Sequence, residues 1–560
     1  MSKALDPITL EILWNGFRSV VDECFLTLMR SAFSTNIKER HDHSTAIADA
    51  TGRLIVQADK ALPIHLASMT GLMAALLARH GGEIREGDLF VANDPHVGGG
   101  THLPDINMAM PLFRDGRLIA FICNIAHHAD VGGAARGSMS GNLFEIYQEG
   151  LRIPVVRLYD RGRLQQDVLD ILLLNMRLPE ERQGDLNAQI AACRLGVTRL
   201  DQLIDKYDAG LIEVGFDEIL TRSLRRMRTA ITAIPDGQYG FQDVLDDDGI
   251  AAEDIPIVLA IDKAGSDIRF DFTGSADAVP GNVNLTLNAV QSAVGYALKA
   301  LLDPDMPNNQ SVLDAIEIVA PEGSLLNCRA PSAVALRANT SQRVIDVVIG
   351  ALAPALPDAA IAAANGANTS AVFAGRDPET DKPYIYLETL GGGMGARAAA
   401  DGKDGVQVHI TNTSNLPVEA IEMEYPLRVL AYELITDSGG AGRHRGGMGL
   451  RRIIQPVGHE TAFSGAGERF SHQPWGLFGG APGSSGRFQM RRGDGETEAL
   501  PHKVSDVAFG PGEAVIIETP GAGGYGDPAS RDPALVEEDR RSGKFSHGYL
   551  AKAYGDGSGG

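Results

Sequence analysis

The chain has 560 residues, a net charge of −22, 65 glycines and four cysteines. That length accommodates two to four domains with sizeable cores. An acidic balance without a basic stripe argues against nucleic acid and anionic membrane as partners, and no uncharged apolar run is long enough to span a bilayer.

Asp6-Pro7, followed by apolar residues at helical spacing, predicts a long amphipathic helix from Pro7 to about Ser34 with Asp6 as its N-cap. HSTAIADATGRLIVQA, starting at His43, reads as two short strands around Thr51-Gly52. A helix over 65–80 and an apolar strand over 87–94 follow. Next, INMAMPLF and LIAFIC flank Asp115-Gly116, a strong hairpin signal. With those two residues as the loop, Arg114 pairs with Arg117 and Pro104 with His127. Residues 163–232 read as largely helical, and Pro235-Asp236-Gly237 is a turn and boundary. Strands are expected over 237–247 and within 255–276, then helices over 285–302 and 340–356, the latter capped by Thr340. From about 365 glycine-rich loops, read as tight turns, alternate with β segments: YIYLETL, VQVHIT (406–411), LRRIIQP and EAVIIETP. The expected fold is mixed α/β and multi-domain: a helical and mixed-sheet N-terminal part and a glycine-rich, β-rich C-terminal part. The boundaries read are 1–234, 235–364, 365–530 and a C-terminal extension 531–560 ending in a GDGSGG tail.

The cysteines Cys24, Cys123, Cys193 and Cys328 are far apart and form no CxxC. They read as reduced, buried thiols. The N-terminal segment carries charges throughout and lacks a signal-peptide core. The expectation is a cytoplasmic protein.

Chemistry concentrates in THLPD (101–105) and NIAHHADVGG (124–133). The hairpin brings both segments to one end, so imidazoles and a carboxylate converge as a divalent metal ion requires. The alternative is surface or hydrogen-bonded core residues. His102 and Asp105 have opposite parity, and Pro104 cannot donate a ladder hydrogen bond. A regular strand is therefore expected from about Ile106, with 101–105 as a loop aiming both side chains inward. In NIKERHDHS (36–44), Glu39 is a candidate fourth ligand, against the reading of a solvated charged run. NDPHVGGG (93–100) could let backbone approach a ligand at its glycines. No Walker loop, dinucleotide fingerprint or GxSxG elbow is evident, so neither a nucleotide site nor a serine nucleophile is expected.

These motifs, with RANTSQRVIDVVIGAL, GGGMGAR, TNTSNLPVEAIEMEYP and DSGGAGRHRGGMGLRR, make the chain resemble the hydantoinase B/oxoprolinase family from DPITLEILWNGF to TPGAGGYGDP. The resemblance implies a divalent metal (Mn, Zn or Fe) held by Glu39, His102, Asp105 and His127. It implies a hydantoinase A-type partner subunit carrying ATP-Mg, in a hetero-oligomer containing a dimer of this chain. It further implies a metal-dependent B subunit of an ATP-dependent cyclic amidase, opening a small cyclic amide after phosphorylation by the partner. In that scheme His128 or Asp130 acts as general base or orients a ligand, and Asp42 and Asp94 lie near the metal or substrate. Relatives often carry RGHHAD where this chain has NIAHHAD, leaving no arginine beside the metal. Two alternatives stand beside this reading: an α-type subunit of an ATP-dependent ketone carboxylase, and a structural subunit for the ATP-binding partner.

Overall fold

A computed structural model of the chain describes residues 5–366 and 368–555. The Asp6 carboxylate accepts the N–H groups of Ile8 and Thr9 (3.1 and 3.0 Å), and Pro7 opens the helix Pro7–Ser31. Helices Pro179–Tyr207 and Ala209–Ile231 complete the predicted helical layer. Together they cover one face of a seven-stranded sheet. Its order is Leu54–Gln57, His43–Asp49, Arg117–His127, Asp105–Arg114, Leu89–Ala92, Val156–Asp160, Arg163–Leu164. Every pairing in it is antiparallel. Phe17, Val21 and Leu28 pack with Ile47 and Ile122 on the helical side. Helix His65–His80 covers the other face through Leu72, Met73 and Leu76. Both faces are buried, so His43–Asp49 is buried at every residue despite its polar side chains.

The central part is a four-stranded sheet, Glu317–Val319, Asp267–Asp271, Glu253–Ala264 and Gly237–Asp247, packed against helices Leu287–Leu302 and Arg337–Leu352. The second helix is buried on every side. It starts three residues before the predicted cap: Thr340 is interior, and its hydroxyl donates to the Val283 carbonyl of a neighbouring segment. That earlier start makes Arg337 its first residue.

The C-terminal part stacks two sheets. One runs Pro383–Leu390, Thr369–Arg376, Thr461–Ala466, Lys503–Phe509; the other runs Leu427–Leu434, Leu450–Pro456, Ala514–Glu518, Arg487–Arg491, Thr497–Leu500. Phe373, Tyr386, Phe463 and Phe488 fill the space between them. Residues 406–411 do not form the expected strand. Beyond one bridge between Val406 and Gly392, Gln342 donates to the Val408 carbonyl (3.0 Å) and Ile64 N–H to that of Ile410 (3.3 Å), so the rest of this segment's backbone bonds to helical parts of the chain. Nor are the glycine stretches mainly turns. Extended loops lie against one another: Gly440 N–H donates to Ala522, Gly447 to Met394 and Gly523 to Ala363. A Cβ on Gly395 would stand 1.7 Å from the Ala362 oxygen, and one on Gly446 1.9 Å from that of Ala522. Absence of a side chain, more than freedom of φ, selects glycine there. Helices Pro533–Arg541 and His547–Tyr554 then fold back, placing Leu550 with Phe545 against Met448. The predicted tail lies outside the described residues beyond Gly555. Among the described residues no helix is long and apolar enough to cross a membrane.

Candidate metal centre

Asp115 (φ 50°) and Gly116 (φ 73°) form the expected two-residue loop, and Arg114 pairs with Arg117. The far end of the hairpin differs from expectation. Leu112 pairs with Ala120 but Phe113 with Leu118, leaving Ile119 as a bulge. His127 therefore faces Asp105 instead of Pro104. Directly opposed residues project to one face, so the extra residue sets Asp105 and His127 side by side. The strand starts at Asp105, leaving His102 in the preceding loop. On the other flank His43 pairs with Ala126, and the His127 N–H donates to the Asp42 carbonyl (3.0 Å). Asp105 and His127 thus share one rung, with Asp42, just before the strand His43–Asp49, alongside.

His102, Asp105 and His127 are all buried and offer ligand atoms within 4.8 Å of one another. The His102 Nδ1 faces the Ala335 carbonyl at 3.2 Å, an acceptor, so Nδ1 carries the hydrogen. The Nε2 lone pair is left 3.0 Å from Asp105 Oδ1, and neither atom has a hydrogen-bond partner. Asp105 Oδ2 is held by Arg337 Nη2 (2.8 Å) and the Thr101 hydroxyl (3.3 Å), with His65 Nε2 at 3.7 Å. Burial alone would raise the Asp105 carboxyl; the Arg337 guanidinium beside it outweighs that and holds the group well below the usual carboxylate range. Burial keeps both imidazoles below their ordinary value, well below for His127. An ionised carboxylate facing the hydrogen-free Nε2 of His102, with the neutral imidazole of His127 within reach, forms a donor set that fits a borderline divalent cation.

The cavity beside this group is small, about 30 Å³, and includes Asp42, His65, His102, His127, Met139 and Arg337 in its wall. That is space for water-sized occupants. Burial raises the Asp42 carboxyl. Asn36 supports His127 from outside, its amide 2.9 Å from Nδ1 and donating to the backbone carbonyl (2.7 Å).

Several expected residues lie elsewhere. Glu39 ends the short helix Thr35–Lys38 with its side chain 39% exposed and 3.7 Å from Lys38 Nζ. The inward side chain of that run is Arg40, bonded to Asn36 and Thr389. Besides Asp105, the carboxylate at the cavity is Asp42. His128 follows His127 directly and turns to the opposite side, where its Nε2 meets Gln189 Oε1 at 2.9 Å. Asp130 accepts from Gly132, Gly137 and Arg177, fixing a loop. Asp94 accepts from the His96 and Val97 N–H groups and from Arg152, fixing another. These three carry local structure and do not line the cavity. Glycines 98–100 serve self-packing: a Cβ on Gly99 would lie 2.0 Å from the Gly71 backbone. The four cysteines are buried, and burial pushes Cys24, Cys123 and Cys328 up to about 12 and Cys193 well above its ordinary value.

Sequence reasoning missed His65, Arg337 and Asn36 as site residues. Arg337 lies in the RANTSQR run and Asn36 in NIKER, both motif-bearing segments, but nothing local ties either to the hairpin. His65 was hidden in the amphipathic pattern of its helix.

The molecule is thus a mixed α/β, multi-domain protein built around a buried His/Asp centre. Residues 6–528 match the family model described as hydantoinase B/oxoprolinase. The chain belongs to the hydantoinase B/oxoprolinase family. It is 36% identical to an uncharacterized protein of Methanocaldococcus jannaschii, covering 99% of this chain and 96% of that one. It is 34% identical to 5-oxoprolinase 1 of Arabidopsis thaliana, over 93% of this chain but 42% of the plant protein. The crystal structure of ATP-dependent caprolactamase from Pseudomonas jessenii superposes with a TM-score of 0.94 at 30% identity, covering 100% of this chain and 98% of that one.

Proposed function

We propose that this chain is the metal-dependent B-type subunit of an ATP-dependent cyclic amidase. Its substrate is a hydantoin, 5-oxoproline or lactam ring activated by phosphorylation on a hydantoinase A-type partner that holds ATP-Mg. The observation that carries the reading is the donor-free approach of His102 Nε2 to Asp105 Oδ1 beside His127 and Asp42. The names of the relatives support the substrate class, and the lack of a phosphate loop in this sequence supports a separate ATP-binding chain. A hetero-oligomer containing a dimer of this chain, working in the cytoplasm where ATP is supplied, completes the proposal.

His102, Asp105 and His127 would hold Mn, Zn or Fe, with Asp42 as fourth donor or proton acceptor. Such an ion supplies Lewis acidity and lowers the pKa of water. The chain's own residues prepare the place. Arg337 and His65 keep Asp105 ionised and aimed, the Ala335 carbonyl fixes the His102 tautomer, and Asn36 orients His127. Asp42, its carboxyl raised by burial, is placed to take up a proton when the ring opens.

Co-purification with the A-type subunit, followed by turnover of a lactam and hydantoin panel, tests the reading. Ring-opened product that requires ATP and not bicarbonate is expected. Carbon from bicarbonate in the product would replace it with the carboxylase reading. His102→Ala and Asp105→Ala should abolish turnover while leaving assembly with the partner intact.

A further inference from the structure

A cavity of about 30 Å³ cannot admit a ring; small-molecule pockets typically measure about 300–1,000 Å³. An open cleft of about 800 Å³ lies on the surface nearby. Leu178, Ala374, Ile385 and Ala462 give it an apolar lining, and Arg136, Arg177 and Arg376 a cationic one, with Glu460 the one carboxylate among its lining residues.

One face of the C-terminal sheet joins cleft to cavity. Ser370 pairs with Thr389, Val372 with Leu387 and Ala374 with Ile385. These positions share a face because their spacing is two. Leu387 and Thr389 line the cavity, while Ile385 and Ala374 line the cleft. Leu387 and Ile385 are about 7 Å apart along the strand. The turn Arg136–Ser138 lies over the same face, a Cβ on Gly137 reaching within 2.9 Å of Val372. It presents Arg136 to the cleft, and Met139, the next residue, to the cavity. Asp130 anchors this turn through the Gly137 N–H (2.8 Å) and Arg177 (2.9 Å).

We propose that the cleft is the port by which the ring, carrying its phosphoryl group as an anion, reaches the metal cavity. Arg136 contacts the phosphate and Met139 is the movable barrier. This rests on the function proposed above for the cavity. An apolar lining with arginines suits a small hydrocarbon ring bearing one anionic group. Arg177 and Arg376 are held in place by Asp130 and Asp381 (2.9 and 2.8 Å). Arg136 is less committed, reaching the Ala374 carbonyl at 3.4 Å and Asp506 at 3.8 Å. An unbranched thioether side chain is well suited to move aside.

Ala508 is exposed at the cleft, and the native cysteines are buried, so A508C offers one site for a bulky maleimide. The complex with its partner is labelled after assembly. Labelling should reduce ATP-dependent turnover at least about tenfold, leaving metal content and assembly unchanged, while unlabelled A508C matches wild type. Separately, Arg136→Ala should weaken binding of phenyl phosphate, the probe used, by about tenfold, the loss expected for one charged hydrogen bond. Wild-type turnover by the labelled complex would overturn the proposal, as would equal phenyl phosphate affinity in Arg136→Ala and wild type. Release of the partner on labelling would mark a protein interface instead and overturn it too. A wild-type complex fully active without metal would defeat the metal-dependent reading, while the phenyl phosphate comparison would still decide the port.

Discussion

Asp105 carries the heaviest demands in this molecule: it is buried and ionised, with one oxygen held by a guanidinium and the other left facing an imidazole lone pair without a hydrogen between them. Removing Arg337 leaves that charge with less compensation. Arg337→Met should therefore weaken metal affinity about 10- to 100-fold, measured by competition with a chelator. Glu149 acts at one remove. It accepts the Val334 and Ala335 N–H groups (2.6 and 2.7 Å), and the Ala335 carbonyl faces His102. Burial raises its carboxyl from 4.5 to about 8. The folded state thus binds a proton that the unfolded chain has lost between those values, so this group's contribution to stability falls as pH rises from 4.5 to 8. Glu149→Gln, which resembles the protonated form, should flatten that dependence and raise stability at pH 8 by on the order of 1 kcal/mol, read from thermal melts at pH 5 and pH 8. At this scale THLPD and HHAD were legible because metal-competent residues cluster within a few positions. Arg337 was not: 232 residues separate it from Asp105, and no local pattern encodes such a contact. For Glu39 the charge was visible in the sequence, while the direction of its side chain was not.

The elements owe their legibility to local chemistry. Asp6-Pro7 starts a helix and Asp115-Gly116 closes a hairpin for reasons contained within four residues. The bulge at Ile119 has no comparable signature, and yet it decides which side chain His127 faces. Residues 406–411 alternate like a strand but bond to helical partners, a tertiary choice that overrides propensity. Glycine frequency was visible, whereas its reason, backbone meeting backbone, was not. Gly395→Ala should destabilise by at least about 4 kcal/mol, or prevent folding, because no neighbouring side chain can yield at the Ala362 backbone. Gly81→Ala, where a Cβ meets nothing within 4 Å, should change stability by less than about 1 kcal/mol. Denaturant melts of the two variants test the contrast.

At the scale of the whole molecule, the centre is a junction. The N-terminal sheet supplies Asp42, Asp105 and His127, the central helix Arg337, and the C-terminal sheet Leu387 and Thr389. Family membership was readable from motifs spread along the chain, but this meeting of distant segments was not, since it depends on how separately legible parts pack. A bound ion would tie them together, so chelation should lower the melting temperature of wild type and not of Asp105→Ala. The most direct test of the centre is metal analysis of four purified proteins: wild type, Glu39→Gln, Asp42→Asn and His102→Ala. About one ion per chain is predicted for wild type and Glu39→Gln, as a closed His/carboxylate site holds one, with depletion in Asp42→Asn and loss in His102→Ala. A fully competent wild-type complex without metal, or loss of the ion in Glu39→Gln with retention in Asp42→Asn, would contradict the account.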